Sequence, residues 1–158
     1  MNEYRLAEDN IPLCLDVLGR ILDTVPFRLR AFTEEEFSTP PAPGKWSRKQ
    51  IIGHLIDSAT NNHQRFVRGQ FEVRPAISYN QEDWNQYSYY STMDSGQLIG
   101  FWEMYNRHLV ELIQRIPPDL LQRECTMSDG SRWTIAKLFE DYVRHLEHHL
   151  RQVFDNSN

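Results

Sequence analysis

Cysteine, long apolar runs and positive charge are all scarce in this sequence. Two cysteines, Cys14 and Cys125, are too few for a disulfide framework, so we expect reduced thiols and a cytoplasmic protein. No apolar run approaches the roughly 20 residues of a membrane span, and residues 1–5 are too polar for a signal peptide. The 17 Lys and Arg residues face 22 Asp and Glu residues, a net charge of -5 with no basic run. This balance argues against a nucleic-acid-binding surface.

Apolar and aromatic residues, in contrast, are plentiful enough for a folded core. They make up 40% and 12% of the 158 residues, which is not typical of a disordered chain. The length suits one domain, residues 1–158, large enough to bury a real core.

Apolar residues recur at helical spacing in four segments, near residues 10–32, 48–71, 94–116 and 135–154. No segment keeps the alternation typical of a strand. Four amphipathic helices in one domain predict an all-α protein, built as an antiparallel four-helix bundle.

Several residues predict where these helices begin or bend. Ser47 and Gln50 form a capping-box pattern before the second helix, and Thr134 suits the N-cap of the fourth. Pro12 suits the first turn of the first helix. Pro26 lies further along the same pattern, where we expect it to kink or split the helix.

The segments between the helices differ in character. Residues 37–44 hold three prolines and a glycine and predict a stiff connection. Residues 72–93 are long and irregular, with a short helical turn expected at 81–86; such a loop often forms a lid or a pocket wall. Its aromatic residues favour the simpler interpretation of core packed beneath the loop. Residues 128–131 predict a turn.

Histidines near the C-terminus suggest a metal site. His145 and His149 are four residues apart, so they stack one turn above the other on one flank of the apolar stripe. His148 falls nearly opposite that stripe and should face water. Two imidazoles one turn apart can bind one metal ion. The alternative is a pair of surface histidines without a ligand.

The second helix carries a polar flank beside its apolar stripe, formed by His54, Ser58, Asn61 and Arg65. Such a flank is often only a solvated margin. If the second and fourth helices are neighbours, however, His54 can join the other two imidazoles. Three histidines leave a coordination position for water or substrate, as catalytic metal sites do. His63 and His108 lie elsewhere and are expected to be structural or exposed.

Three stretches carry a family resemblance. The sequence KWSRKQIIGHLID at 45–57 follows a Pro-Ala-Pro-Gly entry, NNHQRF occupies 61–66, and HLEHHLRQ occupies 145–152. Together they resemble the DinB/YfiT-like family over essentially the whole chain. The Trp-Ser…Gly-His-Leu signature combined with the distant HxxxH is fairly specific, whereas either half alone is weak.

The resemblance implies an up-down-down-up bundle with a long crossover and a metal triad of His54, His145 and His149. It implies one divalent ion, with zinc or nickel favoured. Several family members are thiol S-transferases that use low-molecular-weight thiols such as bacillithiol or mycothiol, and others are named as metal-dependent hydrolases. Many members have no known reaction.

Two functions therefore stand as alternatives. The first is an enzyme whose metal activates a thiol or water against a small molecule; the second is a non-catalytic, metal-stabilised scaffold or partner-binding bundle. We expect pocket residues along the histidine flank, namely Ser58, Asn61, Arg65 and Tyr142. The general base stays open. Neither cysteine is placed as a nucleophile, so a reactive sulfur would come from a cosubstrate. A homodimer would be typical of such bundles.

Overall fold

The computed structural model describes residues 3–155, and side chains from residue 10 onward. In chain order the elements are α1 (Glu3–Arg30), α2 (Glu34–Ser38), α3 (Arg48–Arg68), α4 (Gln81–Tyr87), a 3-10 turn (Tyr90–Thr92), α5 (Ser95–Arg115), α6 (Pro118–Leu121), β1 (Glu124–Thr126), β2 (Arg132–Thr134) and α7 (Ile135–Asp155). The long helices α1, α3, α5 and α7 form the predicted four-helix bundle. Within residues 3–155, no helix is both long and apolar enough to cross a membrane.

The long helices pack in a ring that does not follow chain order. α1 packs mainly against α5 and α7, and α3 packs against the same two helices. α3 therefore lies diagonally across the bundle from α1, and α7 lies diagonally across it from α5. This arrangement makes α3 and α7 neighbours, as the predicted histidine site requires.

Contacts between α1 and α5 fix their relative direction. Arg107 bonds to Asp23, while Arg30 pairs with Glu103, closer to the start of α5. The two helices are therefore antiparallel. In α1 and α7, Arg28 lies over the Phe154 ring, which places both C-terminal ends together and makes these helices parallel.

Contacts of α3 fix the remaining directions. Arg48 donates to the carbonyl of Val153, and the rings of Phe66 and Phe139 meet nearer the other end, so α3 and α7 are antiparallel. His63 contacts Tyr105 well into α5, whereas Lys49 donates to the carbonyl of Met93 just before that helix. Because α3 and α5 are thus parallel, the order is up-down-down-up.

Parallel α3 and α5 explain the long irregular segment. The chain must return along a 21-residue helix, about 31 Å, before α5 can begin. It does so across the surface of α3. Asn85 donates to the carbonyl of Gln50 at 2.8 Å, and the ring of Tyr90 lies directly over Gly53, where a Cβ would come within 2.2 Å of it. The predicted helical turn is confirmed as α4.

The expectation that the aromatics of this crossover are core is wrong for two of them, Tyr87 and Tyr89. Tyr90 is buried and Trp84 is partly buried, but Tyr87 and Tyr89 are exposed. The crossover lies on one face of α3 as a single layer, so only the side chains that turn inward meet the core.

The helix limits agree with the sequence to within a few residues, except at α1. This helix begins at Glu3, which places Pro12 inside it rather than in its first turn. Pro26 does not split it either, since α1 runs uninterrupted to Arg30. Proline at 26 leaves the Leu22 carbonyl without its usual helical donor. Arg107 of α5 donates to that carbonyl at 3.0 Å and satisfies it.

The predicted caps are confirmed. Ser47 accepts from the backbone of Gln50, whose side chain accepts from the Ser47 backbone. Thr134 accepts from the Lys137 N–H at 3.1 Å.

The all-α fold is confirmed, and the structure adds one short hairpin that the sequence pattern did not predict. β1 and β2 form a short antiparallel hairpin, with Cys125 opposite Trp133. Gly130 supplies the left-handed residue of the predicted turn, with a φ of 82°. Strands of three residues are too short to show alternation of apolar and polar residues, so the sequence pattern could not predict them.

Candidate metal centre

The side chains of His54, His145 and His149 meet where α3 crosses α7. The Nε2 atom of His145 lies 3.2 Å from that of His54 and 3.1 Å from that of His149. Within the described residues these three form the one cluster of potential ligands, with ligand atoms within 4.8 Å of one another. The structure therefore brings together the three histidines that the sequence pattern selected.

Local structure places each imidazole. His54 lies in the second turn of α3, fixed by the Ser47 cap, and only 1% of it is exposed. His145 and His149 are half-buried on successive turns of α7. Buried Leu146 and Leu150 hold that face of α7 against the bundle, so the imidazoles flank the core rather than enter it.

The separations suit a shared metal ion. A tetrahedral ion with bonds of 2.0–2.1 Å to nitrogen needs ligand atoms about 3.3 Å apart. The two measured Nε2 separations, 3.1 and 3.2 Å, come close to that value. Three nitrogen donors occupy three positions of a tetrahedron and leave the fourth open.

Neighbouring groups orient two of the rings. Nδ1 of His149 lies 2.8 Å from the Gln152 side-chain oxygen. A proton on that Nδ1 leaves the Nε2 lone pair free to bind a metal. The Trp46 ring packs against His54, with ring centroids 5.1 Å apart, while Nδ1 of His54 is buried without a hydrogen-bond partner.

The electrostatic surroundings keep the imidazoles neutral. Burial, followed by the neighbouring imidazoles of His149 and His145, lowers the pKa of His54 to about 3. Burial also lowers the pKa of His145 to about 4, although Asp141 opposes the shift. The pKa of His149 is lowered by burial and opposed by its bond to Gln152. Neutral imidazole is the form that binds metals, so these rings are ready to act as ligands at neutral pH.

Two cavities reach the histidines from different sides. The larger, about 550 Å³, borders His149 and is lined by Trp46, Lys45, Glu82 and Gln152 among others. The smaller, about 150 Å³, borders His145. A cluster of potential ligands with space on two sides can admit a small molecule.

Three of the four predicted pocket residues line the smaller cavity: Ser58, Arg65 and Tyr142. The Tyr142 hydroxyl donates to Asn106 in the core, so this tyrosine contributes its ring rather than its hydroxyl. The fourth, Asn61, is not among the lining residues. It is buried and donates to the Asp57 carbonyl within α3, whereas its neighbour Asn62 reaches the cavity. The predicted stripe was therefore one position off at that turn.

Sequence reasoning missed four residues around the site: Trp46, Tyr79, Asp141 and Gln152. Asp141 and Gln152 lie four residues before His145 and three after His149, so helical spacing could have found them. Tyr79 comes from the crossover, whose path has no periodic signal.

The other histidines lie where they were expected. His148 is exposed, and its Nε2 lies 3.3 Å from the Gln152 side-chain nitrogen. His63 bonds to the Tyr105 hydroxyl at 2.9 Å. His108 is exposed beside it.

Several proteins resemble this chain in sequence. The Bacillus subtilis protein named "Putative metal-dependent hydrolase YfiT" is 28% identical over 99% of this chain and 92% of its own length. The Oceanobacillus iheyensis protein named "Putative metal-dependent hydrolase OB0782" is 25% identical over 75% of this chain and 69% of its own length.

Solved structures share the fold. That of YfiT, a four-helix bundle of unusual topology, matches with a TM-score of 0.85 at 21% identity, over 99% of this chain and 88% of that one. The mycothiol-dependent maleylpyruvate isomerase matches with a TM-score of 0.72 at 16% identity, over 89% of this chain and 59% of that one.

A family model covers most of the chain. The model of the DinB superfamily matches residues 18–153, from the second half of α1 almost to the end of α7. That range contains all three histidines and both cavities. The chain belongs to the DinB superfamily.

Proposed function

We propose that this protein is a metal-dependent enzyme that acts on small molecules, of the thiol S-transferase type. The observation that carries the proposal is the convergence of three Nε2 atoms beside two cavities. A purely structural metal site is closed by four protein ligands, and a scaffold has no need of cavities that border its ligands. His54, His145 and His149 would hold one divalent ion. Imidazole suits zinc, nickel, iron and copper alike, and the family resemblance favours zinc or nickel.

A divalent ion held there would lower the pKa of a thiol or water bound at the open position. The protein itself supplies no such thiol. Burial raises the pKa of both Cys125 and Cys14, with Glu140 and Glu147 adding to the shift at Cys14. Since neither cysteine lines a cavity beside the histidines, the sulfur would come from a low-molecular-weight cosubstrate.

The larger cavity suits that cosubstrate. Its volume of about 550 Å³ lies in the range of small-molecule sites. Lys45, Glu82 and Gln152 offer both charges and an amide, and the Trp46 ring supplies an apolar wall that also covers His54. A small polar thiol would be oriented by these groups with its sulfur toward His149.

Hydrolysis is the second candidate, supported by the names of the curated relatives. The carboxylate of Asp141 shares the smaller cavity with His145. It is placed to accept a proton from a water molecule in that cavity.

A thiol panel tests the first candidate. Zinc- or nickel-loaded protein is mixed with several small thiols and a generic electrophile, and conjugate formation is measured. We expect turnover that persists when Cys14 and Cys125 are both replaced by serine and is abolished in His145→Ala. Conjugation no faster than with His54→Ala, across all thiols, would favour hydrolysis or a scaffold.

A further inference from the structure

Arg65 is a cation in the smaller cavity that forms no ion pair within the described part of the chain. Its Nη1 donates to the Asn62 side-chain oxygen at 3.2 Å, and its Nη2 donates to the Ile77 carbonyl at 2.7 Å. Its Nε is buried and has no partner. The guanidinium is thus held in place by neutral acceptors, and no carboxylate among the described residues pairs with it directly.

Other arginines show what a structural role looks like here. Arg68, Arg107 and Arg144 each pair with a carboxylate, whereas Arg123 donates to the carbonyls of Gly69 and Glu72. Arg65 lies deeper than these, and burial lowers its pKa. A partly buried charge without a carboxylate partner is costly, and the bond to Ile77 that fastens the crossover needs only a neutral donor. The cation is therefore better explained by a ligand than by the fold.

The rest of the cavity leaves that charge available. Asp141 also lines the cavity and attracts the Arg65 charge, but the two side chains form no ion pair, and one Asp141 oxygen accepts from Arg144 at 2.6 Å. Ser58 and Tyr79 add hydroxyls to the lining of the same cavity. His145 borders the same space, so any cation on the histidines would add to the positive potential. The cavity is therefore suited to an anion.

We propose that Arg65 binds the carboxylate of a small acid in this cavity, so that the substrate is a carboxylic acid whose adjacent carbons face His145. The volume of about 150 Å³ equals about five water molecules at roughly 30 Å³ each, room for a carboxylate and two or three carbons. A planar guanidinium matches a carboxylate. Phosphate sites usually gather several free backbone donors, whereas most residues that line this cavity lie within α3 and α7, where backbone N–H groups form helical bonds. The role of this acid as substrate rests on the proposed function, but its binding does not.

Nuclear magnetic resonance of the full-length, ¹⁵N-labelled protein tests the binding directly. Propionate and its neutral counterpart propionamide are titrated at constant ionic strength, with and without zinc, while the Arg65 Nε–H signal is followed. We expect a saturable shift with propionate in both states and binding at least about tenfold weaker for propionamide, because a charge-assisted hydrogen bond is lost. The zinc-free arm excludes direct ligation of the metal.

Variants separate Arg65 from general surface charge. Arg65→Met should weaken propionate binding about tenfold or more, whereas Arg68→Met, one turn further along α3, should leave it unchanged. Arg65→Met could fail to fold, and two further measurements then test the proposal. One is propionate binding to Arg65→Lys, which keeps the charge without the planar fork. The other is the comparison of propionate with propionamide in the wild-type protein. Equal binding of propionamide, tighter binding of inorganic phosphate, or an unmoved Nε–H signal would overturn the proposal.

The result is independent of the thiol transferase proposal. Zinc content, measured by elemental analysis, should stay at the wild-type level in Arg65→Met, because Arg65 is not one of the three candidate ligands. Loss of turnover with propionate binding intact would count against the proposed function alone. Normal conjugation of neutral electrophiles without Arg65-dependent propionate binding would count against the carboxylate site alone.

Discussion

His148 and His149 are adjacent in the chain but differ in every respect that matters to a metal. His149 is half-buried, oriented by Gln152, and has its Nε2 atom 3.1 Å from that of His145. His148 is exposed on the next face of α7. The 100° turn per residue accounts for the difference.

The first prediction separates these neighbours. His149→Ala should lose most bound metal because one of three nitrogen donors is gone, while His148→Ala should retain it. Elemental analysis of protein purified without a metal-affinity tag measures both. The opposite outcome would show that the wrong pair of α7 histidines was assigned.

The contribution of Asp57 to the stability of the protein depends on pH. It is 2% exposed; one carboxylate oxygen accepts from the Tyr90 hydroxyl at 2.5 Å, and the other has no partner. Burial raises its pKa from 3.8 to about 6, although the bond to Tyr90 opposes the shift. The folded state therefore binds the proton more tightly than the unfolded chain does, and stability falls as the pH rises from 3.8 through 6.

The second prediction follows from that sign. Asparagine stays neutral at every pH. The free energy of unfolding of Asp57→Asn, relative to that of the wild type, should therefore increase between about pH 4 and pH 7. The gain should total about 2–3 kcal/mol. Urea unfolding of both proteins across this range measures it. A difference that does not change with pH would contradict the burial of a protonated Asp57.

At the scale of elements, the fit between α3 and the crossover determines whether the site keeps its shape. Gly53 precedes His54 in α3 and lies under Tyr90, which in turn bonds to Asp57. One small residue thus lets the crossover approach the helix that carries the buried ligand.

The third prediction concerns this contact. Gly53→Ala would place a Cβ 2.2 Å from the Tyr90 ring, and the resulting displacement should destabilise the protein by about 1–3 kcal/mol. Gly19→Ala in α1 is the matched control, since nothing lies within 4 Å of its Cβ, and it should stabilise by about 0.5–1 kcal/mol. Denaturant unfolding measures both; equal effects would show that Tyr90 does not pack as described.

Helical periodicity explains how much of this could be predicted from sequence. It located the four long helices, because their apolar residues recur about every 3.6 residues. Together with the family motif, it also located the three histidines, because His145 and His149 are one helical turn apart. It could not supply the path of residues 69–94 or the short hairpin, which depend on tertiary contacts such as that between Asn85 and Gln50. Tyr79 was missed for the same reason, and Asn61 lies buried within α3 rather than in the cavity lining. Only the packed neighbour decides which side chain of a turn reaches a cavity.

At the scale of the whole molecule, the up-down-down-up order is what creates the site. It makes α3 and α7 antiparallel neighbours although some 66 residues separate them in the chain. It also leads the crossover over α3, where Tyr79 lines the smaller cavity. One imidazole from α3 and two from α7 then share a point that neither helix could form alone.

The central claim is that these three imidazoles hold one metal ion with a position left open for a ligand. X-ray absorption at the metal edge, with and without an added small thiol, tests it most directly. We expect three imidazole nitrogens at about 2.0–2.1 Å and, when thiol is added, a sulfur near about 2.3 Å. A spectrum without imidazole scattering, or the same spectrum from His54→Ala, would contradict the account.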